Sequence, residues 1–239
     1  YAAWLDGSLG ALVKAAAPAA GALEATAPVE AEPTQYSRKN PFPAELKERI
    51  LLNGQGSAKE TIHLEFNLEG SGLHYNVGDS LAVIPHNATD VVEAVLEASK
   101  LDPAESVTLK DENFTLLEAL TSQLDLTALS KPVLNRYNEI AQSKDLDAII
   151  NDKEALLKFI EGRDLADLLN TYPAAELKAQ TLVECLRKLP PRLYSIASSL
   201  KAHEEEVHLT VGVVRYDSHG RARKGVCSTY LADRIQPGE

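Results

Sequence analysis

Residues 190–199 read PPRLYSIASS. Two prolines break whatever precedes them. The eight residues that follow alternate as an extended chain does, with Arg192, Tyr194 and Ile196 on one side and Leu193, Ser195 and Ala197 on the other. A forked cation, a flat phenol and small hydroxyls thus share a strand whose remaining positions are apolar or small. Strand texture continues downstream. EEEVHLTVGVVRY at 204–216 sets Val207, Leu209, Val211 and Val213 on one face, and DSHGR at 217–221 reads as a turn. GVCSTYLADRI at 225–235 starts as a glycine-led loop and becomes a helix, with Ser228 or Thr229 as candidate caps.

The matching β texture lies far upstream. In KETIHLEFNLEG at 59–70, Ile62, Leu64, Phe66 and Leu68 alternate with His63, Glu65 and Asn67. AELKERILLNG at 44–54 is strand-like, and in YNVGDSLAVIPHN at 75–87 a Gly78-Asp79 turn precedes an apolar strand over Leu81–Ile84 that Pro85 closes. Between the two β regions the period changes to 3.6. ATDVVEAVLEASK (88–100, with Thr89 or Asp90 as cap), TLLEALTSQ (115–123), KPVLNRYNEIAQ (131–142), NDKEALLKFIEG (151–162) and AELKAQTLVECLRKL (175–189) all read as helices. In the last, Leu182, Cys185, Leu186 and Leu189 form one stripe, so Cys185 is expected to be a packing residue. Each β half is too short to close alone. The fold class expected is therefore β plus α: one antiparallel β-barrel, from 37–87 and 189–239, interrupted by an all-helical insert over 88–188.

The N-terminal stretch differs. YAAWLDGSLGALVK at 1–14 resembles the end of a helix, and the Ala-, Pro- and Glu-rich run to residue 36 has a linker's composition. The sequence opens at Tyr1, contains no methionine and closes on the turn-like IQPGE. A piece of a longer protein is expected.

Composition excludes several classes. The formal net charge of −11 opposes broad binding of a phosphate backbone, so no nucleic-acid partner is expected. LGALVKAAAPAAGAL at 9–23 is broken by Lys14 and Pro18 and is too short to span a bilayer. The two cysteines, Cys185 and Cys227, make no CxxC or zinc pattern, which suits a reducing, cytoplasmic setting. The six histidines form neither HxxxH nor HExxH, and no metal site is expected; His208 is expected to be exposed or paired.

Three stretches suit a ligand that combines phosphate, polyol and aromatic ring. Arg192 offers a planar fork for phosphate, Tyr194 a ring to stack or a hydroxyl to donate, and Ser195 a single hydrogen bond. In KGVCSTYLADR, Gly225 lets backbone approach a ligand and the helix start favours an anion. Gly212, inside a β-branched strand, suggests either a flat group lying against the backbone or a bulge.

The order of these motifs, YNVGDSLAVIPHN, then RLYSIASS, then TVGVVRY and GVCSTYL, resembles the FAD-binding domain of the diflavin reductases, over about residues 37–239. Within that family the resemblance is strongest to the branch that serves assimilatory sulfite reduction. It implies a ferredoxin reductase-like β-barrel with an inserted helical connecting domain. FAD would bind here, while FMN and NADPH would sit on further domains of the intact protein. Tyr1–Lys14 would be the last helix of a preceding flavodoxin-like FMN domain. The resemblance assigns Arg192 to the pyrophosphate, Tyr194 to the flavin ring or its ribityl chain, and Ser195 to the vicinity of flavin N5, with Leu193 in the same contact strand. It sets Thr210, Val211 and Gly212 along the flavin and adenine, with Tyr216 beyond, and wraps Gly225, Val226, Cys227 and Ser228 around the pyrophosphate. Thr127, in LDLTALS, matches less closely a threonine that reaches FAD. The activity implied is transfer of hydride from NADPH to FAD, then of electrons through FMN to a sirohaem, iron–sulfur hemoprotein beta subunit that reduces sulfite. A cytochrome as acceptor, or a docking module on a degenerate barrel, are the alternatives.

Overall fold

The computed structural model describes residues 35–37 and 39–238. The helix expected over 1–14 and nearly all of the linker expected over 15–36 lie outside the described residues.

Strands β1 (Leu46–Leu51) and β2 (Glu60–Asn67) and the later strand β7 (Glu206–Val213) make a three-stranded antiparallel sheet in the order β1-β2-β7. Alternation dictates its faces: Ile62, Leu64 and Phe66 of β2 pack beside Val207, Leu209 and Val211 of β7, all nearly inaccessible, while His63, Glu65 and Thr210 take the other face. Strand β3 (Ser80–Val83) pairs with β6 (Arg192–Ser195), and a single bridge from Ile196 to Leu209 hands β6 on to β7. The hairpin β8 (Arg215–Ser218) and β9 (Arg221–Lys224) follows, then a turn of α-helix, α8 (Val226–Thr229), that widens into a π-helical turn over Tyr230–Arg234.

The closed barrel expected from the sequence is not present among the described residues. Pairing runs β1-β2-β7, then through the bridge to β6 and β3, and β1 and β3 each pair with one strand only. The cause is local. β3 and β6 are four residues each, Pro85 follows one and Pro190-Pro191 precede the other. Proline has no N–H to extend a ladder, so the β3–β6 pair stops at four residues and offers only a short edge.

Residues 88–188 hold α1 (Thr89–Ser99), α2 (Leu116–Glu118, continuing as a π-helical turn over Ala119–Gln123), α3 (Lys131–Ala141), α4 (Lys144–Asn151), α5 (Lys153–Ile160), α6 (Leu165–Thr171) and α7 (Ala179–Cys185). The region is not all-helical: β4 (Ser106–Leu109) and β5 (Glu112–Thr115) form a hairpin in it. Lys110 and Asp111 turn that hairpin with φ of 50° and 70°, a left-handed pair that glycine usually supplies. Side-chain caps start several helices. Asp152 accepts from the Ala155 N–H, and Thr115 with Glu118 and Asp164 with Asp167 form capping boxes. α1 differs from expectation, since Ala88 occupies the cap position with no side-chain bond and Thr89 and Asp90 lie in its first turn.

Two sets of buried side chains form. One gathers Val92 and Val95 of α1, Leu134 and Tyr137 of α3, Leu168 and Leu169 of α6 and Leu182 of α7. The other gathers the β1, β2 and β7 residues with Cys227 and Leu231. Cys185 lies in the first set, and burial pushes its thiol up to about 11. It is a packing residue.

The β8–β9 hairpin bonds to the helical region through charge. Arg223 reaches Asp164 at 2.5 Å and Asp167 at 2.6 Å, while Arg221 reaches both at 2.9 Å. Lys224 bonds Asp90 of α1 at 2.7 Å, and His219 meets the Glu161 carbonyl at 3.0 Å. Gly162 fits beneath the hairpin because a Cβ there would lie 2.1 Å from Ser218 Oγ.

Candidate functional site

The β3–β6 ladder sets the first group of residues. Ser195 pairs with Ser80, Tyr194 with Leu81, Leu193 with Ala82 and Arg192 with Val83. Alternation follows the sequence reading: Arg192, Tyr194 and Ile196 are partly buried, while Leu193, Ser195 and Ala197 are exposed. Tyr194 packs at the border of the β core, against the buried cluster that includes Cys227. Burial first, and then Cys227, push the phenol well above its usual value against the opposing pull of Arg192. Tyr194 therefore stays neutral. Cys227 is 2% exposed and its thiol is likewise raised by burial, so it carries no thiolate.

Arg192 is held at its base. One terminal nitrogen donates to the Pro190 carbonyl at 3.2 Å, and the other lies 4.0 Å from Asp125 Oδ2. A guanidinium has five N–H donors, so most of its fork is left for a ligand. The carboxylate behind it was not legible as a site residue. Asp125 has a fully buried side chain, accepts from Arg187 at 2.8 Å, and also accepts from the Thr127 N–H and hydroxyl, both at 3.1 Å. Thr127 and Arg192 thus share one buried anion. An Asx turn, Asp125-Leu126-Thr127, was the only signal in the sequence.

The second group is folded onto the end of β7. The chain leaves at Val214, makes the β8–β9 hairpin and returns at Gly225, whose N–H donates to the Val214 carbonyl at 2.9 Å. Ser228 Oγ accepts from the Val214 N–H at 3.1 Å, and Thr229 Oγ1 donates to the Gly225 carbonyl at 2.9 Å. Ser228 and Thr229 therefore lie inside α8, and Gly225 is its cap residue. The reason for glycine at 225 is internal: a Cβ would lie 2.9 Å from the Val214 Cβ and 2.6 Å from Ser228 Oγ. Val226, Cys227 and Ser228 are all buried.

The third group is the open face of β7. Thr210 and Gly212 are exposed, and nothing lies within 4 Å of a Cβ built on Gly212. Gly212 pairs in regular register with Thr61, so there is no bulge. Val211 points the other way, into the core. Tyr216, on β8, is 51% exposed and shares with Thr127 a cavity of about 50 Å³ that Arg221, Arg223 and Lys224 also line.

The structure thus brings Arg192 and Tyr194 together with Cys227, Gly225 to Ser228 together with the end of β7, and Thr127 together with Tyr216. A larger groove of about 1200 Å³ opens on the other side of β6, lined by Leu81, Val83, His86, Pro190, Tyr230 and Arg234 among others. Leu193 alone of the sequence-selected residues reaches it. The chemistry-bearing side chains lie apart from it. A half-buried arginine with spare donors, a neutral tyrosine and an unobstructed strand face fit a ligand carrying both a phosphate and a flat ring.

Comparison with known proteins supports the same chemistry. The curated relatives include the sulfite reductase (NADPH) flavoprotein alpha-component of Bacillus subtilis (strain 168), 48% identical over 99% of this chain and 40% of that protein. The protein of the same name from Mannheimia succiniciproducens is 41% identical over 84% of this chain and 34% of its own length. That from Photorhabdus laumondii is 40% identical over 85% of this chain, again 34% of its own length. The chain spans no more than about two-fifths of these relatives. The sequence model of the FAD binding domain matches residues 34–230, and the chain belongs to that family.

Proposed function

We propose that this chain is the FAD-binding part of an NADPH-dependent diflavin oxidoreductase that feeds electrons to sulfite reduction. FAD, when bound, supplies the chemistry that takes a hydride from NADPH and releases electrons one at a time toward FMN. The chain's own residues bind and orient. Arg192 neutralises the pyrophosphate, with Asp125 and the Pro190 carbonyl fixing the guanidinium so that little is lost in ordering it. The N–H groups of Val226, Cys227 and Ser228 face the same phosphates, Tyr194 lies against the ring system or ribityl chain, and Ser195 donates near N5. Thr210 and Gly212 give the ring or adenine an open backbone surface, Val211 supports it from beneath, and Leu193, Thr127 and Tyr216 border it.

The domain reading follows. Residues 37–87 and 189–239 form the FAD-binding β unit, of ferredoxin reductase-like, barrel-derived type, and 88–188 the helical connecting domain; the two separate buried clusters support this division. Residues 1–14 close a flavodoxin-like FMN domain and 15–36 are the linker. The NADP-binding domain belongs to another part of the intact protein, and the partner is a sirohaem, iron–sulfur hemoprotein beta subunit in a cytoplasmic sulfur-assimilation (cysteine biosynthesis) complex. Among the described residues no helix is long and apolar enough to cross a membrane.

The observation that carries the reading is the joining, within one family-matched chain, of the Arg192–Tyr194 strand face to the Gly225–Ser228 loop, because Tyr194 packs against the buried cluster that holds Cys227. The test is the absorbance spectrum of the purified protein and chromatography of the chromophore released by heat. FAD at close to one per chain in the wild type, lost in Arg192→Ala while the circular-dichroism spectrum stays that of a folded chain, is the expected result. Release of FMN, or full retention of FAD by Arg192→Ala, would overturn the assignment.

A further inference from the structure

On the solvent side of the main sheet, two residues along β7 from Thr210, the chain between β6 and β7 folds back as a tight turn. The Ala202 and His203 N–H groups donate to the Ser199 carbonyl at 2.9 and 3.0 Å, and the Glu206 N–H to the His203 carbonyl at 3.4 Å. The turn is anchored on both sides: the His208 N–H donates to Ser198 Oγ at 2.9 Å, the Ala197 N–H to the His208 carbonyl at 2.8 Å, and the Tyr75 hydroxyl to the Glu206 carbonyl at 2.9 Å. Its consequence is to bring the His203 ring over the His208 ring, centroids 4.3 Å apart.

The nitrogens converge on one oxygen. His208 Nε2 lies 3.0 Å from Glu206 Oε2, and His203 Nδ1 lies 3.4 Å from the same atom. The three ligand atoms all lie within 4.8 Å of one another. A zinc-class ion sits about 2.0–2.1 Å from imidazole nitrogen or carboxylate oxygen, so the edge of its tetrahedron measures roughly 3.3–3.4 Å. Both measured edges approach that length. A carboxylate oxygen can accept from two imidazoles, but a metal also requires the two nitrogens to lie close to each other, and all three atoms meet that condition. Glu206 is also prepared as a ligand. Lys47 pairs with Oε1, its other oxygen, which leaves Oε2 to the two imidazoles. His208 is 8% exposed at its side chain, which fixes its ring, while His203 at 44% leaves the site open to solvent.

We propose that His203 Nδ1, Glu206 Oε2 and His208 Nε2 form a site for a divalent transition-metal ion of the zinc class, with water in the fourth position. This departs from the expectation of no metal site, because His203-x-x-Glu206-x-His208 is not a helix-spaced motif; its geometry comes from a turn followed by a strand. The ion clips the 199–206 turn to β7, and so fixes the chain that follows Ser195. A second grouping, His63, Glu65 and His208, shares the His208 ring but not the convergence on one oxygen.

The test uses the untagged 239-residue protein, stripped with chelator and titrated with zinc by calorimetry, with cobalt as a spectroscopic substitute. One ion per chain is expected, together with intense visible bands of four-coordinate cobalt and slowed hydrogen exchange over 197–206. His203→Ala and Glu206→Gln should each weaken zinc at least about tenfold, since even supporting residues of metal sites are worth ten- to a hundredfold. His203 is a largely exposed side chain, so its replacement leaves the fold intact, and His74→Ala, at an exposed position outside the cluster, should change nothing. Absence of saturable zinc binding, unchanged affinity in both ligand variants, or loss in His63→Ala with retention in His203→Ala would overturn the assignment.

Discussion

Replacing Arg223 with methionine tests whether charge joins the β8–β9 hairpin to the helical region. Methionine keeps the apolar stem and removes the guanidinium, which is 7% exposed and faces two carboxylates that are 8% and 13% exposed. Asp164 Oδ1 retains the Asp167 N–H and Arg221, but Oδ2 loses its partner. Removing one member of a buried pair costs about 3–5 kcal/mol. Two features favour the low end: Arg221 remains 2.9 Å from both carboxylates and is one-third exposed, and the Arg223 Nε has no hydrogen-bond partner among the described residues. The expected loss is about 3 kcal/mol. At a urea dependence of about 2–3 kcal/mol per molar, the midpoint falls by roughly 1–1.5 M with unchanged slope. Asp164→Asn supplies the control, because asparagine still caps α6 while carrying no charge. In the Arg223→Met background it should recover more than about 1 kcal/mol, and in the wild type it should cost stability. Additive effects across the cycle, or a loss below about 1 kcal/mol in Arg223→Met, would refute the clamp.

Other outcomes follow from the same contacts. Gly225→Ala presses a Cβ against Val214 and Ser228; urea unfolding should show a loss of about 1–3 kcal/mol, and flavin content should fall with it. For Asp167, burial pushes the carboxyl up, but the Asp164 N–H and then the Arg221 and Arg223 guanidiniums outweigh it and hold the group below its ordinary value. A depressed folded value means a stabilising contribution that is present above the unfolded carboxylate range and lost as pH falls through the folded value. Melting temperatures of wild type and Asp167→Asn should therefore differ at neutral pH and converge in acid. With the Cys185 thiol pushed up to about 11 and Cys227 also raised, iodoacetamide should label neither at neutral pH until urea unfolds the chain, as mass spectrometry would report.

What the sequence disclosed and what it concealed divide along physical lines. The alternation in β2 and β7 was readable because one face of each is core and the other solvent, so period two is written into residue type. The His219-Gly220 turn of β8–β9 was readable for the same kind of reason: glycine marks a left-handed φ, here 72°. The β4–β5 hairpin turns through Lys110 and Asp111 with no glycine, and nothing local distinguishes SVTLKDENFT from a loop. Helices α4 and α6, eight and seven residues long, were not read, whereas α5 and α7, equally short, were, because their period is carried on by the flanking residues in 151–162 and 175–189. At the candidate site the strand motifs were visible because they are contiguous. Asp125 was not, since its meaning depends on Arg187 and Arg192, 62 and 67 residues later.

The glycines show how far a single residue type can be read. Gly212 and Gly225 both suggested close approach of a ligand to the backbone. In the structure they answer different demands. Gly225 is required by the protein itself, because Val214 and Ser228 occupy the space a Cβ would need. Gly212 is required by nothing in the protein: its register is regular and its open side is empty to 4 Å. Internal packing explains the first glycine completely and leaves the second without a cause inside the described chain. A residue costs strand stability when it is glycine, so a glycine unexplained by turn, bulge or packing points outward, to a flat group laid on that surface. Gly212 lies on the same exposed strand face as Thr210, past the Ile196–Leu209 bridge from Arg192 and Tyr194. The ligand-facing inference therefore rests more firmly on the glycine that the fold does not need than on the one it does.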